Sequence, residues 1–199
     1  MNIDEINSLK GDGIPSARNV DHVAFTVPDL ESACRFFVSH LGACLLYVEG
    51  PIRRGKWMRE HLNVHAAASC RVALLRMGPT FNLELFEYQS PDQNTGMPRN
   101  SDIGGHHLAL HVDDIDAAFA HLQTVDGVTC QGTPDLIEEG PIAGSRWLYF
   151  TTPWGLQMEL CCPASRMPYE DDVAARRYGP HRGSWSGGDL DTPLQETAG

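Results

Sequence analysis

DHVAFTVPDLESACRFF (residues 21–37) returns 85 residues later as HHLALHVDDIDAAFAHL (residues 106–122), and this internal repeat decides the fold. Each copy carries a polar residue, a histidine, a short alternating run, an aspartate and then a helix-period pattern. Alternation with period two is the signature of a half-buried strand. Asp29 and Asp114 stand where an N-cap belongs, since a carboxylate there accepts the free N–H groups of the first helical turn. Behind them, Leu30, Ala33, Phe36, Phe37 and Leu41, and in the second copy Ile115, Ala118, Phe119 and Leu122, mark one buried helix face.

The repeat extends outward from these helices. ACLLYVEG (43–50), CRVALLRMG (70–78) and FNLELFEY (81–88) follow the first, and GVTCQGTP (127–134), RWLYFTTP (146–153) and GLQMELCCP (155–163) follow the second. All are apolar, β-rich segments punctuated by Gly and Pro. Each half therefore reads as βαβββ, and the fold class is α+β: two tandem βαβββ modules pairing their sheets around a central metal site. A four-stranded sheet covered by one helix leaves a face open, so neither module is expected to stand alone. The modules span 20–90 and 105–163 within a domain at 20–165. Residues 1–19 form an N-terminal arm, residues 50–69 an insertion long enough to imply function or mobility, and residues 166–199 an extension. MPYEDDVAARRYG, at 167–179, predicts a short helix, and the Gly/Ser/Asp-rich remainder predicts disorder.

Four residues share slots in the repeat. His22 and His107 are the second residues of their motifs, and Glu84 and Glu159 occupy LEL and MEL in the last strand of each half. Alternation places His22 with Ala24 and Thr26, opposite Val23, Phe25 and Val27. It places His107 with Ala109 and His111, and Glu84 with Asn82 and Phe86, opposite Leu83 and Leu85. His106 falls on the face opposite His107. A single strand histidine is ordinarily a satisfied core or surface residue, but a carboxylate inside an apolar strand calls for a partner. Two imidazoles and two carboxylates suit one divalent ion, with Zn, Mn, Co, Ni and Fe all chemically suitable. Octahedral coordination would leave two adjacent positions for substrate oxygens, which is Lewis-acid geometry.

The insertion contributes Arg53, Arg54, Lys56 and Arg59, a basic cluster in an acidic chain. Arg54 and Arg59 are candidate substrate-binding residues, set against a solvated basic loop as the plain alternative. His65 is a candidate second proton carrier. His61 and His65 are four apart, but Glu60 precedes the pair, so this is not the zinc-protease pattern. Trp147, Tyr149 and Trp154 read as core or pocket wall, Trp147 being the candidate that would touch substrate.

Composition narrows the rest. Fifteen Lys+Arg against 26 Asp+Glu in 199 residues give a net charge of -11, which argues against nucleic acid as a partner. No apolar run approaches the roughly 20 residues of a membrane span, and MNIDEINSLKGDG lacks the basic and apolar regions of a leader, so a cytoplasmic protein with no membrane partner is expected. The six cysteines show no CxxC spacing and are expected to be reduced and structural.

The DHVAFTVPDL start, the GGHHLALHVDDIDAA restart and the LQMELCCP end resemble the vicinal oxygen chelate superfamily, which includes glyoxalase I, methylmalonyl-CoA epimerase, extradiol dioxygenases and bleomycin-resistance proteins. The resemblance spans about residues 20–163 and implies that His22, Glu84, His107 and Glu159 hold one divalent ion. A His/Glu/His/Glu set looks more like glyoxalase I and the epimerases than like the dioxygenases, which use two His and one Glu, or the resistance proteins, which lack the metal. RRGKWMREHLNVH, NLELFEYQSPDQN, PRNSDIGGHH and TTPWGLQMEL look similar to epimerases acting on 2-epi-5-epi-valiolone, a C7-cyclitol ketone of secondary metabolism. The implied chemistry is epimerisation of an α-hydroxyketone through an enediolate, with Glu84 and Glu159 as catalytic base and proton donor. A glyoxalase-type lyase, an extradiol-type dioxygenase and a non-catalytic antibiotic-binding protein are the alternatives. Dimers are common in the superfamily, and a homodimer with a small-molecule substrate is expected.

Overall fold

The computed structural model describes residues 2–9, 11, 13–17, 19–173 and 177. Both βαβββ modules are present. In the first, β1 (His22–Thr26) leads into α2 (Leu30–Leu41), then β2 (Cys44–Ile52), β3 (Ser69–Met77) and β4 (Phe81–Gln89). α1 (Ile3–Ser8) precedes them in the arm, and α3 (Lys56–Leu62) stands in the insertion. The second module runs β5 (Leu108–His111), α4 (Ile115–Leu122), β6 (Thr129–Cys130), β7 (Asp135–Leu136), β8 (Arg146–Thr151) and β9 (Gln157–Cys162), followed by α5 (Tyr169–Asp172).

Strand order is β1-β4-β3-β2 in one sheet and β5-β9-β8-β6 in the other, with the extra β7 pairing β8. The opening strand of each module pairs parallel to the last, setting Ala24 beside Glu84 and Ala109 beside Glu159. Both helices begin as expected: Asp29 accepts from Ser32 N–H at 2.6 Å and Asp114 from Ala117 N–H at 2.9 Å. The apolar stripes of α2 and α4 and the inner faces of both sheets join one core, which includes Phe25, Leu83, Leu85, Leu148, Phe150 and Met158. Phe36 and Phe37 of α2 pack on Trp154 of the second module, and His121 Nε2–H donates to His40 O at 3.0 Å, tying the modules together.

The insertion differs from its expected limits. β2 continues to Ile52, which pairs with Cys70, and β3 begins at Ser69, because these apolar residues extend the ladder that the loop had been expected to interrupt. A second small core forms where Met58, Ala68 and Cys70 meet Trp57, Phe86 and Tyr88, so the insertion is folded against the first sheet. The short helix expected in MPYEDDVAARRYG appears as α5, and the disordered remainder expected after it lies outside the described residues. The two sheets do not close into a barrel within the chain. Each keeps one face against the shared core; on the first sheet the insertion covers the Phe86–Tyr88 end of the opposite face, and the end that carries His22 and Glu84 is left open.

Candidate active site

The open face of the first sheet is built in rows across the strands. His22, Asn82, Arg76 and Cys44 lie in one row, and Ala24, Glu84 and Leu74 in the next. The alternate residues Phe25, Leu83, Leu85, Ala73 and Leu75 point inward and are at most 8% exposed. Alternation thus delivers a histidine and a carboxylate to the same face as neighbours on a diagonal. His22 Nε2 lies 3.4 Å from Glu84 Oε2.

Asp21 sets the state of that histidine. Its carboxylate is 2.8 Å from His22 Nδ1, and this hydrogen bond is the largest influence raising the His22 pKa, with the charges of Glu84 and Asp21 adding to it and partial burial opposing. With Nδ1–H donated to Asp21, Nε2 turns a lone pair toward an anionic oxygen. Two acceptors facing each other need a cation between them, either a proton or a metal ion. A histidine oriented through its other nitrogen by a carboxylate is the arrangement that metal-binding imidazoles use.

The second sheet repeats the pair. His107 Nε2 lies 2.9 Å from Glu159 Oε2, and Glu159 Oε1 accepts from the Cys161 thiol at 3.0 Å. Burial, then the Glu159 contact and charge, push the Cys161 pKa up to about 12, so it remains a thiol donor at neutral pH. Cys162 points the other way, toward Asp113 O, and none of the six cysteines is joined in a disulfide. Tyr149 and Trp147 stand on the same open face, Tyr149 edge-on to both His107 and Trp147.

The four candidate ligands therefore come together as two His/Glu pairs, one per sheet. Among the described residues no group of three or more His, Cys, Asp or Glu side chains gathers as a metal cage. The donor chemistry of each pair fits half of a divalent-ion site.

The candidate substrate residues separate. Arg59 and His65 line a cavity of about 570 Å³ with Thr26, Asn63, Tyr88 and Asp92, alongside the open face that carries Glu84. Ala67 N–H donates to His65 Nδ1 at 3.0 Å, so neutral His65 carries its proton on Nε2 as a further donor. Arg54 instead stacks over Trp57 at 4.9 Å, and Trp147 belongs to the second sheet. His106 stacks on Phe25, with ring centroids 5.1 Å apart, and its Nδ1–H donates to Gly104 O, consistent with its expected place away from the ligands. Sequence reasoning missed Asp21, whose signal was adjacency to His22.

Comparison with known proteins settles the lineage. A model of the glyoxalase/bleomycin resistance protein/dioxygenase superfamily matches residues 21–142. The chain belongs to this superfamily. A 2-epi-5-epi-valiolone epimerase of Actinomyces sp is 52% identical to it over 178 residues, covering 89% of this chain and 97% of that protein. Among solved structures, the superfamily fold recurs in a glyoxalase family protein from Bacillus cereus, with a TM-score of 0.61 and 18% identity over 78% of this chain and all of that one. It recurs again in a fosfomycin resistance protein from Listeria monocytogenes complexed with Mn(II) and sulfate, with a TM-score of 0.50 and 14% identity over 75% of this chain and 95% of that one. No helix among the described residues of this superfamily member is long and apolar enough to cross a membrane.

Proposed function

We propose that this chain is a metal-dependent epimerase that inverts a carbon beside the carbonyl of an α-hydroxyketone, with 2-epi-5-epi-valiolone as substrate. The 52% identity to an epimerase of that name, over nearly the whole of both chains, is the observation that carries the reading. His22, Glu84, His107 and Glu159 hold one divalent ion from the set Zn, Mn, Co, Ni and Fe. A bound ion of this kind supplies Lewis-acid polarisation of the carbonyl and its neighbouring hydroxyl. Glu84 and Glu159 approach from different sheets, so one carboxylate takes the proton from the carbon and the other returns one to the opposite face. Arg59 and His65 bind the substrate's hydroxyl groups.

A homodimer completes the site in this reading. Each sheet of one chain presents an open face with one His/Glu pair, and Leu45, Leu46, Tyr47 and Val48 of β2 are each 42–50% exposed, an apolar edge that a second copy would cover. Joining the first sheet of one copy to the second sheet of the other makes two equivalent sites by two-fold symmetry.

Incubation with 2-epi-5-epi-valiolone in D₂O tests the chemistry by NMR. Deuterium should enter at the carbon beside the carbonyl, and chelator should abolish it; no exchange with the metal-loaded protein overturns the epimerase reading. Mixing Glu84→Ala and Glu159→Ala proteins tests the assembly. Each alone should be inactive, and random reassembly should restore about a quarter of the activity, since a mixed dimer contains one intact site of two. No recovery would place the whole site within one chain.

A further inference from the structure

Two buried side-chain nitrogens among the described residues have no hydrogen-bond partner: Trp154 Nε1 and Arg76 Nε. Trp154 packs on Phe36 and Phe37 in the seam between the modules, where its ring is the useful part. Arg76 has no such account. Its β3 neighbours Leu75 and Met77 are buried in the core, and Arg76 pairs with Asn82 on the opposite face, in the row that begins with His22.

That position is next to the chemistry. Arg76 and Glu84 are diagonal cross-strand neighbours, a relation of about 7–8 Å between α-carbons, and Arg76 stands two strands from His22, about 10 Å. Yet Arg76 forms no ion pair with Glu84. The ion pairs found among the described residues leave it out, in a chain with 26 acidic residues to 15 basic. Arg71, five residues earlier on the helix-facing side, is by contrast satisfied by Glu87 at 3.7 Å.

The repeat sharpens the point. Glu84 corresponds to Glu159, so Asn82 corresponds to Gln157 and Arg76 to Thr151, which pairs with Gln157 in β8. In the second module this corner is closed: Gln157 and Gln131 exchange amide hydrogen bonds, at 2.8 Å in the better direction. In the first it holds a guanidinium whose Nε, buried and unmatched, costs stability. Planar guanidinium groups bind pairs of oxygens side by side.

We infer that Arg76 is a substrate-binding residue: it grips an oxygen pair of the ligand held at the His22/Glu84 corner and stabilises negative charge that develops there. This rests on the proposed function for the identity of the ligand, but the unmatched Arg76 Nε is independent of it. The asymmetry between Arg76 and Thr151 also gives the two ends of the substrate different surroundings, as a substrate without two-fold symmetry requires.

Arg76→Met, Arg76→Lys and the wild type are compared in four measurements. In ligand-free protein, Arg76→Met should melt at or above the wild-type temperature, since it removes the unmatched group; a clear fall, or loss of assembly, makes Arg76 structural and overturns the inference. With metal bound, sodium oxalate, a planar anion with paired oxygens, should raise the melting temperature of the wild type and at least tenfold higher concentration should be needed for Arg76→Met; equal shifts overturn it. Metal content should be equal in all three, and a loss in Arg76→Met overturns it. In turnover of the cyclitol ketone, Arg76→Met should lose about 100-fold or more in kcat/KM, with partial recovery on adding guanidinium ion and incomplete recovery in Arg76→Lys; activity within twofold of wild type overturns it. Should the wild type itself turn over no cyclitol ketone, the proposed function fails while the melting and oxalate measurements still decide the role of Arg76.

Discussion

In the first module His22 is fixed at Nδ1 by Asp21 at 2.8 Å, and Glu84 faces it across 3.4 Å with no other side-chain hydrogen bond among the described residues. In the second, Glu159 is fixed by the Cys161 thiol at 3.0 Å and sits 2.9 Å from His107, whose other nitrogen has no acidic partner among the described residues. The repeat reproduces the ligand types and changes what holds them. One half braces the imidazole and leaves the carboxylate less tethered; the other braces the carboxylate. Under the proposed mechanism a base that must reach a carbon and return calls for the freer carboxylate, which makes Glu84 the candidate base and Glu159 the candidate donor.

The largest expected effects fall on the two carboxylates. Glu84→Gln and Glu159→Gln should each lower turnover by about 10²–10⁴-fold, the usual contribution of a positioned proton-transfer group. Steady-state rates alongside metal analysis separate the roles. A Glu84→Gln protein that keeps its metal but not its rate sharpens the contrast, whereas a Glu159→Gln protein behaving that way reverses the assignment.

Next come the two helices. Phe37 of α2 is fully buried against Phe36 and Trp154, so Phe37→Ala should cost about 3–5 kcal/mol in urea unfolding. Phe119 of α4 is only half-buried at the rim of the same core and should cost less. Equal losses would mean that the two modules contribute alike to the shared core, which the burial of these rings contradicts.

Third is the brace itself. Positions 21 and 106 are equivalent in the repeat, an aspartate in one copy and a histidine stacked on Phe25 in the other. Removing a carboxylate that orients a metal-binding histidine typically costs 10–100-fold in metal affinity, so Asp21→Asn should weaken Mn or Zn binding by about that factor. His106→Asn should leave it unchanged. Titration of metal-free protein reads both, and a loss in His106→Asn would mean that the second histidine is braced too.

Much of this was legible before any coordinates. The repeated strand–cap–helix motif located both modules, and alternation alone put His22 opposite Phe25 and Val27 and Glu84 opposite Leu83 and Leu85, because a strand has only two faces and one must be apolar. The caps were legible for the same local reason. What escaped was non-local. The path of residues 50–69 depends on Met58 finding Cys70, Phe86 and Tyr88 across the sheet, and the separation of the two His/Glu pairs depends on how the modules lean on one another through Phe36, Phe37 and Trp154. Arg76 was accessible to parity but, standing in CRVALLRMG, reads as an ordinary strand-surface cation until its missing partner is seen.

The smallest contrast lies where the helices end. α2 stops at Gly42, which adopts φ 69 and ψ 21 and donates its N–H to Phe37 O; α4 stops at Gln123, still in the right-handed region at φ -65 and ψ -17. A left-handed residue with a β-carbon costs roughly 1–2 kcal/mol, so Gly42→Ala should destabilise the chain by about that amount while Gln123→Ala changes little. The turn at Gly42 aims the chain from α2 into β2, the edge strand whose exposed Leu45–Val48 stretch is assigned to a second copy in the proposed dimer. Gly42→Ala should therefore weaken self-association as well as folding, measurable as a concentration-dependent melting temperature steeper than that of Gln123→Ala. If the two variants associate equally well, the end of α2 matters only to the stability of its own module, and the edge that β2 presents is set by its pairing with β3.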